Sequence, residues 1–118
     1  MARKPGKKSM PIETLQEQAH DISRLMKILA HPSRLLIACQ LAQGEMAVGD
    51  LETLLNIRQP GLSQQLALLR EEGLVATRRQ SKVIFYHLSD ARLARMIGVL
   101  CETYGTAENC PRARIEAL

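Results

Sequence analysis

The sequence predicts a mainly α-helical domain of about five helices, closed by a single β-hairpin of two strands. Three observations lead there. Apolar residues recur at three- and four-residue spacing in separate blocks between residues 13 and 73. From residue 74 to residue 88 that period gives way to short runs rich in β-branched and aromatic residues, and it returns after residue 90. The blocks are punctuated by Pro32, Gly44, Pro60, Gly73 and Gly105. With 118 residues, 46% of them hydrophobic and 24% charged, the chain is the size of one ordinary globular domain.

The first helix spans Glu13 to Ala30, with Leu15, Ala19, Ile22, Leu25, Met26 and Leu29 on its apolar side. It stops before His31-Pro32, because proline disfavours helical geometry in its predecessor and suits the first turn of a following helix. That second helix runs to about Gln43. Leu35, Leu36, Ile37, Ala38, Cys39 and Leu41 make it apolar on most sides, which places it at the centre of the fold, and Gly44 ends it. A third helix covers Asp50 to Asn56, with Val48 leading in. A fourth starts at Pro60, carries Leu62, Leu66 and Leu69, and stops at Gly73. Two short helices joined by a few residues, the second with polar Ser63, Gln64 and Gln65 beside a strict apolar stripe, have the arrangement of a helix-turn-helix. Leu74 to Thr77 and Val83 to Leu88 then form a hairpin with a charged tip at Arg78, Arg79, Gln80, Ser81 and Lys82. A hairpin in that position is a wing, so the predicted fold is a winged helix-turn-helix. Ser89-Asp90 caps a fifth helix bearing Leu93, Met96, Ile97 and Leu100, with Gly105 as terminator.

This reading divides the chain into a flexible basic tail at 1–12, a DNA-binding and dimerisation domain at 13–105 and a C-terminal tail at 106–118. The first and last helices carry more apolar surface than the core requires, which predicts a homodimer. No apolar run approaches the roughly 20 residues of a membrane span, and no secretory h-region follows the basic start, so a cytoplasmic protein without membrane contact is expected.

The net charge of +4 is unevenly spread. Arg3, Lys4, Lys7 and Lys8 account for it in the tail, whereas residues 13–57 carry an excess of carboxylates. Residues 58–82 are basic through Arg58, Arg70, Arg78, Arg79 and Lys82 against Glu71 and Glu72. That segment is the expected phosphate-facing surface. Gln59, Ser63, Gln64 and Gln65 are the candidates to meet base edges or phosphates from the fourth helix, since glutamine can bond adenine bidentately and serine serves several acceptors and donors. Arg70, Arg78, Arg79 and Lys82 are the candidate cations beside them. Double-stranded operator DNA is therefore the expected partner. An enzyme is not expected: the chain lacks a Cys-x-x-Cys pair, a glycine-rich phosphate loop and a nucleophile-base set. A winged module that binds another protein without DNA is the competing class, and salt-sensitive duplex binding separates the two.

These residues resemble the ArsR/SmtB winged-helix repressors. His31-Pro32-Ser33-Arg34-Leu35 is similar to the opening of their second helix, Val48-Gly49-Asp50-Leu51 to their third, and Gln59-Pro60-Gly61-Leu62-Ser63-Gln64-Gln65-Leu66 to their recognition segment. Leu69-Arg70-Glu71-Glu72-Gly73-Leu74-Val75 and Phe85-Tyr86-His87-Leu88 extend the likeness through the wing, over roughly residues 15 to 105. The resemblance implies a DNA-binding repressor. It also implies that two metal sites of the family are missing, because Ala47 and Gly49 stand where thiolate sensors place cysteines and Asp90 has no histidine partner after it. His20, His31 and His87 read as structural residues, and no metal or cofactor is expected.

Cys39, in Ile37-Ala38-Cys39-Gln40-Leu41, matches the second-helix cysteine of the BigR/SqrR-like branch, whose resemblance implies sensing of reactive sulfur or oxidants through a dithiol. The branch's second cysteine falls at Gly105 by ungapped counting. Cys101 lies one helical turn earlier, about 6 Å along the axis, and Cys110 lies beyond the turn. Either could partner Cys39. Cys110 is preferred, because a segment past Gly105 brings its Cα within the about 7 Å of a disulfide more easily than a fixed helical position does. Burial of Cys39 and Cys101 as small hydrophobes is the structural alternative. The alternative sensing chemistry is a three-thiolate site for arsenite or another thiophilic ion.

Overall fold

The computed structural model describes residues 10–105. Its elements follow in the order α1 Ile12–Leu29, α2 Pro32–Leu41, β1 Met46–Ala47, α3 Val48–Leu55, α4 Gly61–Glu71, β2 Val75–Gln80, β3 Val83–Leu88 and α5 Ala91–Tyr104. This is a winged helix-turn-helix with five helices, and the three strands form one antiparallel sheet in the order β1-β3-β2. The predicted tails at 1–12 and 106–118 fall almost wholly outside the described residues. Among the described residues no helix is long and apolar enough to cross a membrane.

Local chemistry sets the boundaries. His31 caps α2, its Nδ1 accepting the Ser33 N–H at 3.1 Å, and Pro32 opens the helix where a missing N–H costs nothing. Asp90 does the same for α5 through the Arg92 N–H at 2.8 Å. At the end of α4, Gly73 takes a left-handed φ of 76°. This lets the Leu74 N–H return to the Leu69 carbonyl at 2.9 Å and the Gly73 N–H to that of Arg70 at 3.0 Å. The pair of bonds is a Schellman motif, which satisfies carbonyls the helix end would otherwise orphan and aims the chain into β2.

Two features depart from the sequence expectation. The sheet has a third strand, since Met46 pairs with Tyr86 and Ala47 with Phe85; a two-residue strand is too short to show a period of its own. The hairpin also runs further than expected. Arg78, Arg79 and Gln80 belong to β2, paired with Phe85, Ile84 and Val83, so the tip is only Ser81 and Lys82, with Ser81 at φ 56°. A polar run on both faces of a strand carries no hydrophobic alternation to reveal it.

Two apolar clusters meet on α2. One joins Ile37 and Leu41 to Leu51 of α3, to Leu62, Leu66 and Leu69 of α4, and to Val75 of β2. The other joins Ala38 and Ala42 to Leu29 of α1 and to Leu93 and Ile97 of α5. The central position expected of α2 is observed, although Leu35 and Leu36 at its start are exposed. On α1 the apolar residues divide. Leu25, Ile28 and Leu29 face the core, whereas Ile12, Leu15, Ile22 and Met26, spaced by three, seven and four residues, form an exposed stripe along one side, and Val99 and Tyr104 are exposed on α5.

Candidate nucleic-acid interface and thiol pair

The helix-turn-helix consists of α3 and α4; of the four polar candidates, Gln59 lies just before α4 and Ser63, Gln64 and Gln65 lie in its first turns. They are not equivalent. The Gln59 Oε1 accepts the Ser63 N–H at 3.0 Å, so this side chain satisfies one of the open donors at the helix start. The Gln65 Oε1 accepts from the Arg34 Nη1 at 3.0 Å. Both glutamines therefore commit their carbonyl oxygens within the protein. Ser63 and Gln64 are exposed at adjacent positions and present hydroxyl and carboxamide groups outward.

The four cations also separate. Arg70 is exposed in the last turn of α4, and Lys82 is exposed in the two-residue turn of the wing. Arg79 uses Nε on the Ser81 carbonyl at 3.1 Å, next to that turn. Arg78 is engaged on three sides. Its Nε donates to both carboxylate oxygens of Glu45, at 2.7 and 2.8 Å, and its Nη2 donates to one of them as well. Nη1 donates to the Gln80 Oε1 at 2.9 Å, and the guanidinium lies 4.7 Å from the Phe85 ring centroid. Arg78 is expected from sequence in an open charged tip; the structure places it within the edge strand β2, tying that strand to the residue before β1. Glu45 carries no local signal of this role beyond its charge, since 33 residues separate the partners.

The Arg78 hydrogen bonds hold the Glu45 carboxyl below its ordinary pKa, and the carboxylate raises Arg78 in turn. A carboxyl with a depressed folded pKa adds stability above its unfolded pKa and loses that contribution as pH falls through the folded value. Arg78→Met is therefore expected to move the Glu45 titration midpoint upward, as followed by carboxyl carbon NMR. An unchanged midpoint removes the ion pair as the cause.

The histidines occupy a helix, a cap and a strand, as read from sequence: His20 in α1, His31 before α2 and His87 in β3. The His87 Nδ1 is buried without a hydrogen-bond partner among the described residues. No group of three or more His, Cys, Asp or Glu side chains among the described residues is arranged to hold a metal ion. The three-cysteine arrangement includes Cys110 and so lies outside the described residues.

Cys39 on α2 and Cys101 on α5 face each other as thiols, the Cys101 Sγ directed at the Cys39 Sγ at 3.9 Å. Both are partly buried and pack against the cluster around Leu29, Ala38 and Leu93. A disulfide bond is about 2.05 Å long, so direct closure requires the sulfurs to approach by about 2 Å. Gly105 closes α5, its N–H donating to the Cys101 carbonyl at 2.7 Å, and a Cβ there would stand 2.9 Å from that oxygen. A side chain at the position reached by ungapped counting would thus crowd the helix end, while Cys101, one turn earlier, faces Cys39. Cys110, the preferred partner from sequence, lies outside the described residues.

Residues 31–77 match the signature of the family described as bacterial regulatory protein, arsR family. The chain is similar to the biofilm growth-associated repressor of Agrobacterium fabrum, 53% identical over 91 residues, covering 77% of this chain and 78% of the relative. Among solved structures it resembles the transcriptional repressor BigR from Xylella fastidiosa, with a TM-score of 0.76 and 43% identity over 82% of this chain and 99% of that one. A homodimeric winged helix-turn-helix DNA-binding domain from Mycobacterium bovis superposes with a TM-score of 0.63 at 29% identity, covering 84% of this chain and 89% of that chain.

Proposed function

Since the chain belongs to the arsR family of bacterial regulatory proteins and is a transcription regulator, not an enzyme, we propose that it is a homodimeric repressor released from operator DNA by thiol chemistry. Double-stranded DNA is met by Ser63 and Gln64 at the start of α4 and by Arg70, Arg79 and Lys82 around it. Reactive sulfur species or oxidants act on Cys39 and its partner. The observation that carries the thiol reading is the 3.9 Å separation of the Cys39 and Cys101 sulfurs across two helices. Dimerisation is supported by the exposed apolar stripe Ile12, Leu15, Ile22 and Met26 and by the homodimeric Mycobacterium bovis neighbour.

Joining two thiols as a disulfide passes two electrons and two protons to an oxidant such as peroxide, which leaves as water. A polysulfide instead donates one sulfane sulfur to form a persulfide. The other thiol is persulfidated in the same way, and the outer sulfur of one persulfide then attacks the inner sulfur of the other, expelling hydrogen sulfide and closing a three-sulfur bridge. A link of either kind joins the central helix to α5, and dimer geometry is the element it shifts. Two recognition helices must match half-sites about 34–36 Å apart, so a small change at the dimer contact lowers affinity.

The test is DNA affinity of the reduced protein, measured again after separate exposure to peroxide, polysulfide and arsenite, with mass spectrometry of the thiols. Loss of affinity with a new interhelical sulfur link supports the proposal. Loss on arsenite alone, with proton release, establishes the ion-binding alternative.

Two surface variants check the DNA assignment. Gln64→Ala is expected to cost roughly 1–3 kcal/mol of discrimination against unrelated sequence, as expected for a lost bidentate base contact. Arg79→Ala is expected to weaken specific and random duplexes alike and to shallow the salt dependence by about one unit of slope, as a phosphate contact does. Wild-type affinity and slope in both variants would place the interface elsewhere.

A further inference from the structure

Arg34 sits in the first turn of α2, half-buried, on the seam between α1 and α4. Its Nε donates to the Ile28 carbonyl at 2.6 Å and its Nη1 to the Gln65 Oε1 at 3.0 Å. Ile28 lies in the last turn of α1, where carbonyls lack intrahelical donors and the helix dipole favours a cation. Gln65 lies beside Ser63 and Gln64, next to buried Leu66. One rigid guanidinium fork thus bonds the end of the first helix and the start of the fourth at the same time.

From this geometry we infer that Arg34 is a positioning residue for DNA reading: it fixes α4 against the end of α1, and Gln65 is its socket and not a reader of bases. The inference rests on the assignment of α4 as the DNA-reading helix. Its basis is that the Gln65 acceptor faces Arg34 inside the protein, while Ser63 and Gln64 are exposed. The identity of the socket also fits. A carboxylate at position 65 would bond the guanidinium more strongly but would add negative charge to a surface that meets phosphate, whereas a carboxamide accepts the bond without charge. Because α1 also carries the stripe assigned to dimerisation, the Arg34 clamp sets the angle at which each protomer presents Ser63 and Gln64.

The experiment uses the full-length reduced protein. A preferred duplex is selected from a randomised pool with the wild type, and affinities for that duplex and for a random one are compared in Arg34→Lys, Arg34→Met, Gln65→Met, Gln65→Glu and the double variant Arg34→Met/Gln65→Met. Arg34→Lys keeps the charge but not the fork, so its preferred-to-random ratio is expected to fall about tenfold, as in Gln65→Met, with the salt slope unchanged. Gln65→Glu keeps the socket, so it lowers both affinities while holding the ratio within about twofold. The double variant is expected to match the single variants, because both remove the same bond. Arg34→Lys and Gln65→Met that keep the wild-type ratio overturn the proposal. So does a Gln65→Glu ratio as low as that of Gln65→Met, which would make Gln65 a base reader, or a double variant whose loss is the product of the two singles. If the wild type selects no duplex, the DNA-reading assignment fails first, and this inference with it.

Discussion

Ile37→Ala will lower the unfolding free energy by about 2–5 kcal/mol, the range for deleting most of a large aliphatic side chain from a core that cannot collapse around the gap. Ile37 is 0% exposed and sits on α2 within the cluster formed by Leu41, Leu51, Leu62, Leu66, Leu69 and Val75. The elements that would have to move to fill the space are the two helices of the helix-turn-helix and the base of the wing. Urea denaturation at fixed protein concentration is the measurement, since stability of a dimer depends on concentration. Leu54→Ala is the control: Leu54 is 60% exposed on α3 and its truncation should change stability by less than about 0.5 kcal/mol. Comparable losses in both variants would contradict the core described above.

Cys39→Ser will abolish the response to polysulfide. Wild-type protein is expected to lose at least about tenfold in DNA affinity on treatment, as typical coupling energies allow, and the variant to stay within about twofold of its untreated value. Serine keeps the size of the side chain and cannot form the sulfur link. The 3.9 Å approach makes Cys101→Ser the expected phenocopy. If Cys110→Ser removes the response and Cys101→Ser retains it, the partner is the C-terminal cysteine favoured by sequence reasoning. A Cys39→Ser protein that still leaves DNA normally on treatment excludes the switch while leaving the winged-helix regulator intact.

Much of this architecture was legible in the sequence, because its signals are local and repeated. Leu51, Leu62, Leu66 and Leu69 keep helical spacing, His31-Pro32 and Gly73 mark helix ends, and Asp90 is a good cap; each feature acts within one or two turns of itself. What was not legible depends on residues far apart in the chain. Strand β1 exists because β3 offers it an edge. Arg78 reads from sequence only as a DNA-facing cation, and its pairing with Glu45 becomes visible only in the fold. Gln65 and Gln64 are identical in composition and adjacent in sequence, and only the guanidinium reaching from α2 distinguishes a strut from an exposed carboxamide. The cysteines fall between these cases. Cys39 was identified through family resemblance and Cys101 as one of two candidate partners, but their approach could be measured only after α2 and α5 were packed together.

The shared membership of α2 in both apolar clusters determines which sequence changes the domain can absorb. Along one short helix, Arg34 points to the seam with α4, Ile37 and Leu41 into one cluster, and Ala38 and Ala42 into the other, while Cys39 meets α5. Each residue advances the helix by about 100°, so inserting or deleting one position between Arg34 and Cys39 would swing everything beyond it about a quarter-turn out of register with four neighbouring helices at once. Conservative replacement at any single site disturbs one contact; a change in length disturbs them all. Within this domain α2 is a segment whose side chains can vary but whose residue count cannot, so natural length variation should collect in the connections outside it, as loops elsewhere allow.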